Sequence, residues 1–387
     1  MSLSPQTPTP LPKVPLFVLS IVIFSEPLTS TILFPFVYFM VRDFHITESE
    51  DEIGFFCGLI ASSFFFAQFC TSIFWGFMSD RYGRRPILLI GLCGTAIACT
   101  SFGLSKSLPW AIISRSMCGL LNGNVGVAKS MLGEIADKSN QSQAFGVFGF
   151  AWGIGMIVGP VLGGYLADPA KNFPEIFGEL QFFIEYPYFL PCFVAAIGSL
   201  IGFIIGYFFL EETNRRAKTH THDLMQNNAS YTQQPMQVVV IQSGTGLPPV
   251  SITTIIAYAM LALHSIVFEE VYTLFAVTPL RSHGLGWSAI QLSGSLASMG
   301  LAQLVLQFII YPQFERRFSA VSIFQFGQLI YGCAYIVFPL IRAFAVDEND
   351  GPTAGQTPRV RYLILVALTI KYTCSVFSYT SVMVMVS

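Results

Sequence analysis

Ten apolar runs, each long enough to cross a bilayer, constrain this chain more than any other feature. They cover residues 14–40, 53–78, 87–105, 109–133, 144–167, 187–210, 251–279, 288–311, 320–342 and 361–385. A crossing takes about 20 residues of helix. Many of the runs lack a polar face; the second carries one strongly polar side chain, Gln68. In lipid every backbone N–H and C=O must be bonded within the protein, which leaves helices or closed barrels. Barrel strands alternate strictly over about ten residues, and these runs do not. The expected fold class is an all-α membrane protein of about ten transmembrane helices.

Composition narrows the function classes. Charged residues make up 11% of the chain, against about 25% in a soluble domain. The net charge of −2 offers no basic field for nucleic acid. All eight cysteines fall inside apolar runs, so they read as small buried hydrophobes rather than a disulfide framework. Residues 1–13 are polar and rich in Pro, Ser and Thr, without the pattern of a cleaved secretory signal. This tail is expected to be disordered, and the first apolar run to act as an uncleaved insertion signal.

The chain divides into a six-helix half (14–210), a polar stretch (211–250) that reads as a flexible cytosolic linker, and four further helices (251–387). With the N-terminus in the cytosol, ten basic residues fall inside and seven outside. The dense Arg81–Arg85 loop supports that orientation more than the count does. Asn140 and Asn228 sit in N-x-S patterns on the predicted cytosolic side, so neither is expected to carry a glycan.

The sharpest motif is Gly76-Phe-Met-Ser-Asp80-Arg81-Tyr-Gly83-Arg84-Arg85-Pro. Gly76 permits close helix contact and Gly83 a tight turn. Asp80 can pair with Arg84 or receive a neighbouring helix N-terminus. A weaker echo, Glu315-Arg316-Arg317-Phe318, follows the eighth run. The fourth run holds Arg115, Gly119, Asn122, Gly123 and Asn124, and the fifth Gly155, Gly159, Pro160, Gly163 and Gly164. Small residues at that spacing allow tight helix packing, and the proline bends the helix.

These three motifs, in order and on the matching helices, resemble the signatures of the major facilitator superfamily, specifically its drug:proton antiporter branch as found in fungal multidrug-resistance carriers. The resemblance covers about residues 14–387. It implies two bundles that rock about a central cavity, with residues 76–85 as a charged latch that locks one orientation of the halves. It implies a glycine-rich antiporter-type hinge in the fifth helix, packed against the opposite half. Arg115 would tune a proton-coupling site, unless it snorkels to the outer interface.

Intramembrane ionisable side chains are functional candidates by default. Glu26 lies near the middle of the first helix, and a lone buried carboxylate can exchange a proton near neutral pH. His264, Glu269 and Glu270 in the seventh helix form a candidate relay by composition, not by shared face. Lys371, midway along the tenth run, needs an opposing carboxylate such as Glu269 or Glu270. Phe64, Phe65, Phe66 and Phe69 face lipid or wall a greasy cavity.

The family usually has twelve helices; this chain reads as six plus four, with the last two missing, which suggests a truncated product. The expected function is proton-coupled efflux of small amphipathic molecules, with a metal chelator as a conceivable substrate because the branch includes zinc-tolerance facilitators. A non-transporting partner of a full-length carrier is the alternative. No ATP-binding loop, cofactor motif or metal-ligand cluster is visible, and no paired aspartates, His-box or Ser-Lys arrangement marks an intramembrane enzyme. The expected partners are a small-molecule substrate, protons and the lipid bilayer, with the plasma or vacuolar membrane as the location.

Overall fold

The computed structural model describes residues 10–137, 140–214, 249–345 and 354–386. All regular structure among the described residues is helical. In the first half these helices are α1 (Lys13–Thr31), α2 (Val37–Asp43), α3 (Glu50–Tyr82), α4 (Arg84–Gly103), α5 (Leu108–Leu121), α6 (Asn124–Ile135), α7 (Gln141–Leu166) and α8 (Phe189–Phe209). The second half has α9 (Pro249–Val277), α10 (Ala289–Val305), α11 (Ala320–Ala345) and α12 (Pro358–Val386). Short helical turns fill the connection between α7 and α8, and α10 runs on through a π-helical segment, Leu306–Ile310, to Glu315. Residues 1–9 of the predicted N-terminal tail, most of the predicted linker and Asn228 lie outside the described residues, and Lys13, expected in the tail, begins α1.

Among the described residues, nine helices are long and apolar enough to span a membrane. The expected single helix over 109–133 is instead two, α5 and α6, separated at Asn122–Gly123. The local chemistry explains the break. The Asn124 amide donates to Asn122 Oδ1 (3.3 Å) rather than to the Leu120 carbonyl. That carbonyl takes the Trp75 indole N–H instead, at 2.7 Å. Gly123 lies against the Trp75 side chain, where a Cβ would collide. Irregular backbone is tolerated at membrane depth only when neighbouring groups bond it in this way.

Loop contacts define two faces. On one, which carries Arg81–Arg85, the 80–85 loop meets Glu134 and Glu212–Asn214. On the opposite, far face, Tyr188 Oη donates to Asp43 (2.5 Å), the Asp168 amide bonds the Pro187 carbonyl, and Lys106 pairs with Glu185. Burial and then the Asp43 charge hold the Tyr188 phenol above its usual range, so it stays a donor. In the second half, Trp287 Nε1 donates to the Gly355 carbonyl (2.9 Å) on the far face.

The hydrophobic cores reveal how the halves sit. Toward the far face one continuous core crosses both halves, joining Ile53, Cys57 and Ile60 of α3 to Phe268, Tyr272 and Ala276 of α9. Toward the latch face the halves keep separate cores, one around Leu19, Leu88 and Met131 and one around Tyr311, Ile323 and Val376. The molecule is therefore closed on the far face and parted on the latch face. One contact runs its full depth. Helices α7 and α10 meet at Gly164 with Ser293, at Ile157 with Gly300 and at Phe150 with Phe308, whose ring centroids are 5.5 Å apart.

The glycine-rich helix is sorted by face: Gly149 and Gly153 meet Gln307 and Leu304 of the opposite half as expected, whereas three glycines of the hinge motif do not. Gly155, Gly159 and Gly163 abut Pro27, Thr31 and Ile32 of α1, within the same half. Of these four glycines Gly164 abuts α10, where Ser293 Oγ also donates to the Pro160 carbonyl at 2.8 Å. The reason is helical periodicity: positions four apart share one face, and Gly164 falls about 100° around from Gly163. The cysteine reading also needs a correction. Cys70 and Cys333 lie on exposed, outward faces, whereas Cys57, Cys99, Cys118, Cys192 and Cys374 are buried.

Candidate functional site

Three polar constellations stand out. The first surrounds Glu26, 5% exposed, on α1 one residue before the helix-internal Pro27. Its Oε1 accepts from Gln68 Nε2 of α3 at 3.0 Å, while Oε2 is buried without a partner. The break between α5 and α6 brings the Asn122 amide alongside, and Lys129 of α6 acts on the same carboxylate electrostatically. Arg115 is 2% exposed, which excludes a snorkelling role in this conformation. Its Nη1 reaches the Thr29 carbonyl of α1 at 3.4 Å, and its guanidinium carbon lies 4.7 Å from the Phe64 ring centroid and 5.5 Å from that of Phe102. Nε and Nη2 are buried and unpartnered.

The second constellation belongs to the other half. Lys371, 1% exposed on α12, pairs with Glu269 Oε1 of α9 at 2.8 Å. Tyr372 Oη donates to the same oxygen at 2.9 Å. The ammonium also lies 4.0 Å from the Tyr372 ring centroid and 4.8 Å from that of Phe268, a favourable cation–aromatic arrangement. Glu270 points elsewhere, with both carboxylate oxygens buried and unpartnered. His264 bonds Gln328 Oε1 through Nε2 (3.2 Å) and packs edge-on to Tyr331, at 4.5 Å between centroids. So the three α9 residues do not form a hydrogen-bonded relay; each serves a different set of neighbours. Their spacing dictates this, since His264 and Glu269 are five residues apart and Glu269 and Glu270 are adjacent.

The third is the 80–85 loop. Arg84 is its hub, bonding Asp80 (2.6 Å), Glu134 (3.1 Å) and Ser79 Oγ (2.6 Å). The Glu212 carboxylate, just beyond α8, caps the start of α4: Oε1 accepts the Arg84 amide and Oε2 the Arg85 amide, each at 3.0 Å. A carboxylate at a helix N-terminus satisfies orphan N–H groups and the helix dipole together. Gly83 adopts φ 106° here, and a Cβ at that position would collide with Glu212. Arg85 bonds the Tyr207 carbonyl and Arg81 lies over the Tyr82 ring. Gly76 has open space around it. Asp80 itself is 67% exposed, and its carboxylate pairs within its own loop.

Comparison with known proteins identifies this architecture. The family model described as Major Facilitator Superfamily matches residues 19–387. The chain belongs to the major facilitator superfamily. It is 32% identical over 330 residues to Protein ZINC INDUCED FACILITATOR-LIKE 1 of Arabidopsis thaliana, covering 84% of this chain and 69% of that protein. It is 29% identical over 444 residues to the major facilitator superfamily multidrug transporter mfsB of Aspergillus fumigatus, covering 96% of this chain and 72% of the relative. The fold matches the crystal structure of a D-xylose–proton symporter with a TM-score of 0.66 at 15% identity, over 94% of this chain and 80% of the symporter. The molecule is thus a multi-pass integral membrane protein of a small-molecule transporter family.

Seen as a major facilitator superfamily chain, it places its predicted residues unevenly. Glu26 and Arg115 share the α1 neighbourhood, and Lys371 meets Glu269, one of its two expected counterions. Glu134 and Glu212, which complete the hydrogen-bond network of the 80–85 loop, were missed. Glu134 ends a helix and Glu212 stands in a run of polar residues, so neither carries an intramembrane signal. Gln68 was noticed only as the polar exception in its run, although a lone amide in an apolar helix is the mark of a buried polar partner. Lys129, seven residues past Asn122, carried the same intramembrane signal.

Proposed function

We propose that this protein is a proton-coupled secondary transporter that exports small amphipathic molecules by alternating access, with Glu26 as the proton-exchanging carboxylate. One observation carries the reading: a buried carboxylate with one oxygen held by Gln68 and the other left free, beside a buried, under-partnered arginine. The free oxygen is where a proton, or a donor group of the substrate, would sit. The core that is joined on one face and divided on the other supports a two-state rocking of the halves. In this reading the latch face and the N-terminus are cytosolic, the conformation is inward-open, and Asp80–Arg84 is the latch in its released state. Relatives named as a multidrug transporter and a zinc-induced facilitator support a broad amphipathic substrate class, chelators included, and a plasma or vacuolar membrane.

The test uses purified protein in liposomes with an imposed proton gradient and ethidium as the probe. Gradient-driven ethidium movement by the parent protein, lost in Glu26→Gln, is the expected result. Movement that is independent of the gradient, or unchanged in Glu26→Gln, overturns the assignment.

A further inference from the structure

The connection between α7 and α8, on the far face, shows more apolar surface than a loop in water does. It carries two short helical turns, Pro174–Phe177 and Gln181–Glu185. Phe173, Ile176, Leu180, Phe182 and Ile184 are all exposed on it, Ile176 by 67%. The excursion is held in shape. Its stem is closed by the Asp168 amide on the Pro187 carbonyl at 2.9 Å, and the Phe177 and Phe183 rings meet at 4.8 Å between centroids. Lys106, from the α4–α5 turn, pairs with Glu185. An apolar surface presented on a fixed frame is a surface made to be covered.

What covers it follows from where it leads. The Phe182 ring centroid lies 4.9 Å from that of Phe189 at the start of α8, and Phe189 lies 5.2 Å from Phe193. Phe193 heads a stripe of exposed side chains on α8, continued by Ile197, Ile201, Ile204 and Phe208. Their spacing of three and four residues puts them on one face of the helix. In a helix that crosses the bilayer, that outward face meets acyl chains. The apolar surface of the loop is therefore continuous with the lipid-facing stripe of α8. Tyr186, with the Lys106 ammonium 4.3 Å from its ring centroid, supplies the amphipathic aromatic that suits a membrane–water boundary. Four acids and one base stand between 168 and 186, which favours a neutral lipid surface over an anionic one.

We propose that residues 173–186 lie in the far-side headgroup layer of the bilayer, their apolar side chains against the outer ends of the acyl chains, as an interfacial anchor for the first half. The stem also leads into Tyr188, which donates to Asp43 of α2, so the anchor sets the far-face ends of α2, α7 and α8 at one depth. The inference concerns how the chain is embedded and stands apart from the transport reading.

The experiment measures depth in vesicles of phosphatidylcholine. Ile176→Cys and Ile184→Cys are made singly, with Cys70→Ser and Cys333→Ser to remove the exposed thiols, and each carries a methanethiosulfonate nitroxide. Power saturation then compares collision with oxygen, which concentrates in lipid, and with a nickel chelate, which stays in water. Leu200→Cys, exposed on α8, is the lipid reference, and Glu48→Cys, exposed in the polar α2–α3 loop of the same face, is the aqueous one. The oxygen-to-nickel ratio at 176 and at 184 is expected to exceed that at Glu48→Cys by about threefold or more, and to stay below that at Leu200→Cys. Ratios equal to the aqueous reference place the loop in water and overturn the anchor. Poor access to both reagents, with dipolar broadening between singly labelled molecules, assigns the surface to a second copy of the chain and overturns it as well.

Discussion

Two buried cations, one in each half, are held in opposite ways. Lys371 has a carboxylate at 2.8 Å, and that carboxylate has a second donor in Tyr372. Arg115 has one long bond to a backbone carbonyl, aromatic faces, and two nitrogens with nothing to bond. A complete buried pair resists change, because removing one member leaves the other uncompensated in a low-dielectric site. An incomplete one can change partners at little additional expense. In the proposed mechanism the halves then take different tasks: the α9–α12 pair fixes structure, and the Glu26–Arg115 region switches. The loops show a parallel contrast. Arg84 is bonded to three neighbours in the first half, while Arg316 and Arg317 of the echo in the second are exposed on the surface.

The comparison can be broken most forcefully at Lys371. Lys371→Met leaves the largely buried Glu269 carboxylate without its cation and held by Tyr372, and is expected to destabilise the protein by about 3 kcal/mol. Thermal unfolding in detergent reads this as a fall of several degrees. Adding Glu269→Gln should recover most of it; an equal loss in the double variant contradicts the pairing argument. Next in size is Gly163→Val, which drives a side chain into the Ile32 carbonyl of α1 and is expected to cost about 1–3 kcal/mol. Gly146→Ala on the same helix meets open space and should be neutral or slightly stabilising, by under about 1 kcal/mol. Removing the α4 cap with Glu212→Ala should cost about 1 kcal/mol, with Glu212→Gln milder because its amide oxygen still accepts one bond. Smallest of all is Glu26→Gln, which keeps an acceptor for Gln68 and should move stability by less than about 0.5 kcal/mol while abolishing proton-driven flux. A large loss of stability there would make Glu26 a structural residue, and the contrast between the halves would dissolve.

Much of this was legible in the chain. Apolar runs of bilayer length fixed helices at the observed places, because a peptide group in lipid has no alternative to its own helix. Gly83 was read as a turn, and it adopts a positive φ. Glu26, Arg115 and Lys371 were marked by being ionisable where water is absent. Other features were hidden. Asn122-Gly123-Asn124 reads as turn chemistry, yet a break at membrane depth forms only because Trp75, 45 residues away from Leu120, supplies a donor to its stranded carbonyl. Nothing in the spacing of 155, 159, 163 and 164 says which neighbour each glycine meets.

Sequence alone determined the embedding, the helical class and the list of buried charges, since transfer from water to lipid is decided residue by residue. Tertiary structure decided which charges are satisfied and which are left open. It also decided which face of α7 meets which half, and on which side the bundles part. Those outcomes depend on distances between residues far apart in the chain, and in a medium of low dielectric a few ångströms separate a fixed pair from a free charge.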